Sequence, residues 1–262
     1  MNKKWLKNPY FQQVIPWIVP MLLIVSWQLL VQVGWLSTRV LPAPTTVLSA
    51  GIRLAISGEL FHHIAISAWR ALVGFIIGGG IGLTLGFLNG LFPIAEKLLD
   101  TSLQMVRNIP HLALIPLVIL WFGIDDRARL FLVALGVFFP IYINTFHGIR
   151  SVDAGLIEMG KVYGLSARSL LWKIILPGAL PSILVGLRYS LGIMWLTLIV
   201  AETIAADSGI GYMAMNAREF LQTDVVVVSI IMYALLGKLA DAIARKLEEK
   251  WLAWHPNYQQ PA

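Results

Sequence analysis

Residues 8–38 carry no charged side chain, and neither do residues 71–95. Runs this long fill a bilayer, whose hydrocarbon core takes about 20 mostly apolar residues per helix. Charged residues make up only 13% of the chain and hydrophobic ones 58%, against roughly 25% charge in an ordinary soluble domain. So few charges cannot cover a water-facing surface, which excludes a soluble enzyme, and the apolar content excludes a disordered chain. The composition predicts an all-α membrane protein.

The first run is too long for the roughly 7–15-residue core of a signal peptide. Only Leu36-Ser37-Thr38-Arg39 follows it, with no small-residue cleavage pattern, so it reads as an uncleaved span. Six spans are predicted, at about residues 14–33, 71–95, 108–124, 130–149, 179–201 and 221–244. The third is preceded by an amphipathic segment over residues 98–107. The sixth has a charge-free core of only 13 residues, 225–237, and reaches full length by including Lys238 and Asp241, spaced to pair.

Basic residues set the orientation. Lys3, Lys4, Lys7, Lys97, Arg150, Lys161, Arg168, Lys173, Lys238, Arg245, Lys246 and Lys250 fall on one face, and Arg39, Arg53, Arg127, Arg129 and Arg218 on the other. The positive-inside bias puts the first face, and with it both termini, in the cytoplasm. The net charge of +6 then needs no nucleic-acid partner. Lys250, Trp251, Trp254 and Tyr258 have the composition of an interfacial anchor.

The second span holds Gly74, Gly78, Gly82, Gly86 and Gly90, a row at spacing four. Helices in lipid associate through close backbone approach, so the row predicts a packing seam. Its partner is either another helix of this chain or a second copy.

No catalytic constellation accompanies these spans. There is no cysteine, no phosphate loop of the G-x-x-x-x-G-K-[ST] type, no H-E-x-x-H and no G-x-S-x-G. The five histidines include only one adjacent pair, His62-His63, which reads as a polar edge and not a metal site. Among embedded charges, Arg188 stands out. It falls in register with Trp195 and Glu202 at spacing seven, on nearly one helix face. Asn108 and His111, with Gln104, make a similar stripe on the third span. Both stripes suit a polar translocation path; Arg188 equally suits a role in satisfying backbone carbonyls within the bundle. No carboxylate sits mid-span, which argues against an autonomous proton-coupled carrier.

The longest cytoplasmic connection, residues 150–178, is the most distinctive segment. It runs Glu158-Met159-Gly160-Lys161-Val162-Tyr163-Gly164-Leu165-Ser166 and later Ile174-Ile175-Leu176-Pro177. The first part is amphipathic, Gly164 can stop a helix and Pro177 can start one. Its apolar residues invite either a docking partner or a lipid surface.

Glu158, Gly164, Ile174, Leu176 and Pro177 stand at the spacing of the E-A-A-x3-G-x9-I-x-L-P signature, with Met159 and Gly160 in place of the alanines. On this ground the chain resembles importer-type ABC permeases. Arg107-Asn108-Ile109-Pro110-His111-Leu112 and Trp195-Leu196-Thr197-Leu198-Ile199-Val200-Ala201-Glu202 resemble the nitrate/sulfonate/taurine subfamily, and within it the aliphatic sulfonate permeases.

The resemblance implies the type I importer permease fold in a bacterial inner membrane and a homodimer of permeases. It implies a cytoplasmic ABC ATPase dimer that holds ATP and magnesium, this chain carrying no cofactor or metal, and a periplasmic substrate-binding protein. It also implies that Glu158, Met159, Gly160, Gly164, Leu165 and Ser166 couple to the ATPase, with Leu176 and Pro177 anchoring the loop to the next span. The competing readings are a stand-alone secondary transporter of a small anion and a membrane-embedded enzyme.

Overall fold

Proline decides where several helices begin: α2, α4, α5 and α9 below each carry one in their first two positions, where its missing N–H costs no hydrogen bond. The computed structural model describes residues 9–204 and 206–255, with the backbone alone for residues 9–14. Lys3, Lys4, Lys7 and Tyr258, counted above for orientation and anchoring, lie outside the described residues. The elements are α1 (Pro9–Gln32), α2 (Pro44–Ile56), α3 (Glu59–Leu91), α4 (Pro93–Arg107), a 3-10 turn (His111–Leu114), α5 (Ile115–Phe122), α6 (Asp126–Arg150), α7 (Ala154–Val162), α8 (Ala167–Leu170), a π turn (Leu171–Ile175), α9 (Leu176–Thr203), α10 (Ile210–Glu219) and α11 (Thr223–Trp251). No strand occurs among the described residues.

Five helical stretches are long and apolar enough to cross a bilayer: Ile15–Gln32, Glu59–Leu91, Asp126–Arg150, Ala167–Thr203 and Thr223–Trp251. A sixth crossing is broken, because α4 and the stretch His111–Phe122 meet at 80°. Alone, α5 has eight residues, about 12 Å of helix, far short of a bilayer core of about 30 Å. The break has a local cause. Pro110 disfavours helical geometry at Ile109, and Pro110 itself is extended, at φ −61° and ψ 108°.

Other boundaries move for comparable reasons. The second span was expected at 71–95, yet α3 begins at Glu59 and ends at Leu91. Phe92, before Pro93, takes the extended conformation (φ −117°, ψ 108°) that proline imposes on its predecessor. The last helix starts at Thr223 and runs unbroken to Trp251, past the expected 244.

The chain divides into two compact units. The first comprises the described part of Met1–His62 with Met213–Ile231. In it the Gln28 side chain accepts from the Thr45 amide at 3.3 Å, and Arg53 meets Asp224 at 3.2 Å.

The second unit comprises His63–Tyr212 with the described residues from Met232 on. Here the glycine row of α3 lies against α6. A Cβ at Gly74 would stand 2.6 Å from Val133, at Gly82 2.6 Å from the Phe138 carbonyl, at Gly86 2.6 Å from Thr145 and at Gly90 2.9 Å from Ile149; at Gly78 it would overlap the Ala134 carbonyl. Of the two partners open to the row, the structure places a helix of the same chain along it. On its other side α6 packs along α9, where Gly186 abuts Pro140 and Asn144 and the Ser182 hydroxyl donates to the Asn144 carbonyl at 2.8 Å. Ile115, Val118, Ala128, Leu132 and Ala201 form a buried core joining α5, α6 and α9.

Candidate functional site

The loop between α6 and α9 folds into two short helices fastened by one backbone device. Asp153 caps α7 by accepting from the Gly155 amide at 2.7 Å. At the other end Gly164 has φ +76°. Its N–H reaches the Lys161 carbonyl at 2.9 Å while the Leu165 N–H reaches Gly160 at 3.0 Å, the paired bonds of a Schellman cap. Ser166 then caps α8, accepting from the Ser169 amide at 3.3 Å.

Gly160 is buried under Leu165, Leu170 and Ile174: a Cβ there would stand 2.7 Å from both Leu170 and Ile174 and 3.2 Å from Leu165. The small residue lets α7 sit directly on the start of the α8–α9 stretch. Outward, Glu158 and Ser166 are exposed, and so are Leu156, Met159, Val162 and Tyr163, the last two 86% and 80%. Leu176 and Pro177 are half-buried in the first turn of α9. The loop thus presents an apolar, rigidly capped surface beside one carboxylate.

The expected path residues do not converge on one site, although Trp195 and Glu202 both touch Tyr233. Arg188 donates to Asp241 at 2.8 Å and Glu248 at 3.3 Å, both on α11. Trp195 is buried and packs edge-on against Tyr233, ring centroids 6.4 Å apart. His111 Nε2 lies 3.1 Å from the Thr197 hydroxyl, joining the 3-10 turn to α9. Asn108 is exposed at the C-terminus of α4. Glu202 is 1% exposed and belongs to a buried polar network.

That network centres on a residue absent from the sequence-based site. Arg70 on α3, 2% exposed, donates to Glu202 at 3.0 Å, to Asp126 at 2.8 Å and to the carbonyl and hydroxyl of Ser208 at 2.6 and 3.0 Å. Glu202 also accepts from the Ser67 hydroxyl at 2.8 Å, the Gly211 amide at 3.0 Å and the Tyr233 hydroxyl at 2.9 Å. Ser67 in turn accepts from the Ile210 amide at 2.9 Å, and His63 Nδ1 from the Gly209 amide at 3.1 Å. Four charge-assisted contacts hold one buried carboxylate, which makes this cluster a clamp on the C-terminal end of α9. Its sequence signal was a pair of opposite charges, Arg70 and Glu202, each at the margin of an apolar run.

Residues 78–252 match the family described as binding-protein-dependent transport system inner membrane component. Over 256 residues the chain is 65% identical to the putative aliphatic sulfonates transport permease protein SsuC of Escherichia coli (strain K12), spanning 98% of this chain and 95% of that relative. It is 35% identical to the taurine transport system permease protein TauC of the same organism, over 90% of this chain and 88% of that one. Among solved structures, a chain of an amino acid ABC transporter aligns with a TM-score of 0.56 at 16% identity, covering 76% of this chain and 96% of that one. A chain of the MetNI methionine ABC transporter in an inward-facing conformation aligns with a TM-score of 0.51 at 19% identity, covering 68% and 93%. At such identities the likeness is one of fold.

Proposed function

Because the chain belongs to the family of binding-protein-dependent transport system inner membrane components, we propose that it is the multi-pass inner-membrane subunit of an ATP-driven importer that carries aliphatic sulfonates into the cytoplasm. The observation that carries the substrate is the 65% identity, over nearly the whole length, to a relative named for aliphatic sulfonates transport.

Two copies of the chain form the pore, with both termini on the cytoplasmic side. A periplasmic binding protein delivers the anion, and a cytoplasmic ABC ATPase dimer holds ATP and magnesium. The ATPase docks on the loop between α6 and α9 through Leu156, Met159, Val162 and Tyr163, with Glu158 beside them. Support for this docking is the combination of exposed apolar side chains with a backbone locked by Gly164 and the Gly160 contact. A rigid surface continuous with α9 passes a displacement on instead of absorbing it, as rocking of a helix bundle requires.

Reconstitution tests the reading. Proteoliposomes holding permease, ATPase and binding protein should accumulate ethanesulfonate only with ATP, and liposomes holding the permease alone should not. Equal entry of the anion through the permease alone would overturn it.

A further inference from the structure

In the second unit, one cluster of charged side chains other than the Arg70 clamp lies beside an open cavity. Arg188 of α9 bonds Asp241 and Glu248 of α11 at 2.8 and 3.3 Å, and Arg245 and Lys238 approach Asp241 at 2.8 and 4.0 Å. Three basic side chains therefore meet two carboxylates. Next to them lies a cavity of about 520 Å³ whose walls include Arg188, Tyr189, Gly192 and Leu196 of α9 with Asp241 and Glu248 of α11. Gly192 leaves it open, since a Cβ there would meet nothing within 4 Å. The volume falls inside the range of about 300–1,000 Å³ typical of small-molecule sites.

The cluster is lopsided. The Arg188 side chain is 41% exposed and Asp241 31%, whereas Glu248 behind them is 7% exposed. Arg70, by contrast, is 2% exposed and enclosed by its partners. A guanidinium that serves only to fasten two helices has no need of an open face on a cavity. An ionisable group inside a membrane span is a functional site by default, and a planar guanidinium suits the oxygens of an oxyanion.

We infer that this cavity is a station for the transported anion toward the cytoplasmic end of the spans, in which sulfonate oxygens bind the exposed face of Arg188 in exchange for Asp241. The inference rests on the proposed function. Exchange is what makes the station passable: an unopposed guanidinium would hold an oxyanion more firmly than one with a competing carboxylate, and transit requires binding weak enough to end. Asp241 competes with the anion and returns when it leaves, and Glu248 keeps the guanidinium aimed.

The test is ethanesulfonate binding to the purified permease–ATPase complex without binding protein, by titration calorimetry at constant ionic strength. Wild type should bind weakly and Arg188→Gln should not bind. Arg188→Lys, which keeps the charge and loses the fork, should fall between. Asp241→Asn should bind about tenfold more tightly, the factor for one competing charge-assisted hydrogen bond removed. A purely structural bridge gives no such opposite signs. Should Arg188→Gln fail to assemble, Asp241→Asn decides: unchanged or weaker binding there overturns the station, as does wild-type affinity in an assembled Arg188→Gln complex. Failure of the complete wild-type system to import ethanesulfonate overturns the proposed function instead; import with binding unaffected by these variants overturns the station alone.

Discussion

Arg70 and Glu202 come from different helices, α3 and α9, and meet at 3.0 Å with 2% and 0% of their side chains exposed. Two charges so placed are costly to separate, because either one alone would be a buried, uncompensated ion. Arg70→Met should therefore destabilise the permease by about 3–5 kcal/mol, read as a lower unfolding temperature in detergent. Arg70→Met combined with Glu202→Leu should recover only part of the loss, because the Gly211 amide and the Tyr233 hydroxyl then lose their acceptor. A single variant as stable as wild type would show that the clamp bears no such load.

The glycine row of α3 makes a position-specific prediction. At Gly78 a side chain would run into the backbone of Ala134, which no rotamer change relieves; at Gly80 on the same helix a Cβ meets nothing within 4 Å. Gly78→Leu should abolish recovery of monodisperse protein. Gly80→Ala should be tolerated or gain about 0.5–1 kcal/mol from helix propensity. Size-exclusion profiles of the two variants check both.

At Gly164 the positive φ is the constraint. Gly164→Val should cost roughly 1–2 kcal/mol locally, loosen the Schellman cap and lower the amount of ATPase that co-purifies. Gly164→Asn, tolerated in this conformation, should retain most of it. Equal co-purification across wild type and both variants would remove the cap from the docking surface.

Arg150 and Glu96 make the shortest ion pair described, 2.6 Å, yet 47% and 26% of their side chains are exposed. Solvent screening leaves such a pair worth less than about 1 kcal/mol. Arg150→Gln should leave both the unfolding temperature and sulfonate uptake near wild type, in contrast to Arg70→Met.

Five of the six charge-poor runs overlap a helix long and apolar enough to cross a bilayer, since such a helix satisfies its own backbone in lipid. They misjudged the ends wherever a charge is neutralised inside the fold. The start of α3 was missed because Arg70 and His63 read as a border, although both are enclosed by partners. Asn108 and Pro110 were read as the beginning of a span and are the corner of a broken one. Spacing gave the face shared by Arg188, Trp195 and Glu202, but periodicity carries no information on what packs there. Arg188 faces α11 carboxylates, Trp195 faces Tyr233, and Glu202 faces an arginine 132 residues away in sequence. The turn at Gly164 was legible because its chemistry is local.

The stretch from Ala167 to Thr203 is 37 residues of helix, roughly 55 Å at 1.5 Å per residue, and a bilayer core is only about 30 Å thick. A helix of that length is longer than the core it crosses, and the π turn Leu171–Ile175 and Pro181 are the places where it can bend. Under the proposed docking, a push on α7 would pass through the Gly160 contact to one end of this stretch while Glu202 holds the other. Under that reading the four contacts of the Glu202 carboxylate become the pivot on which the stretch would turn.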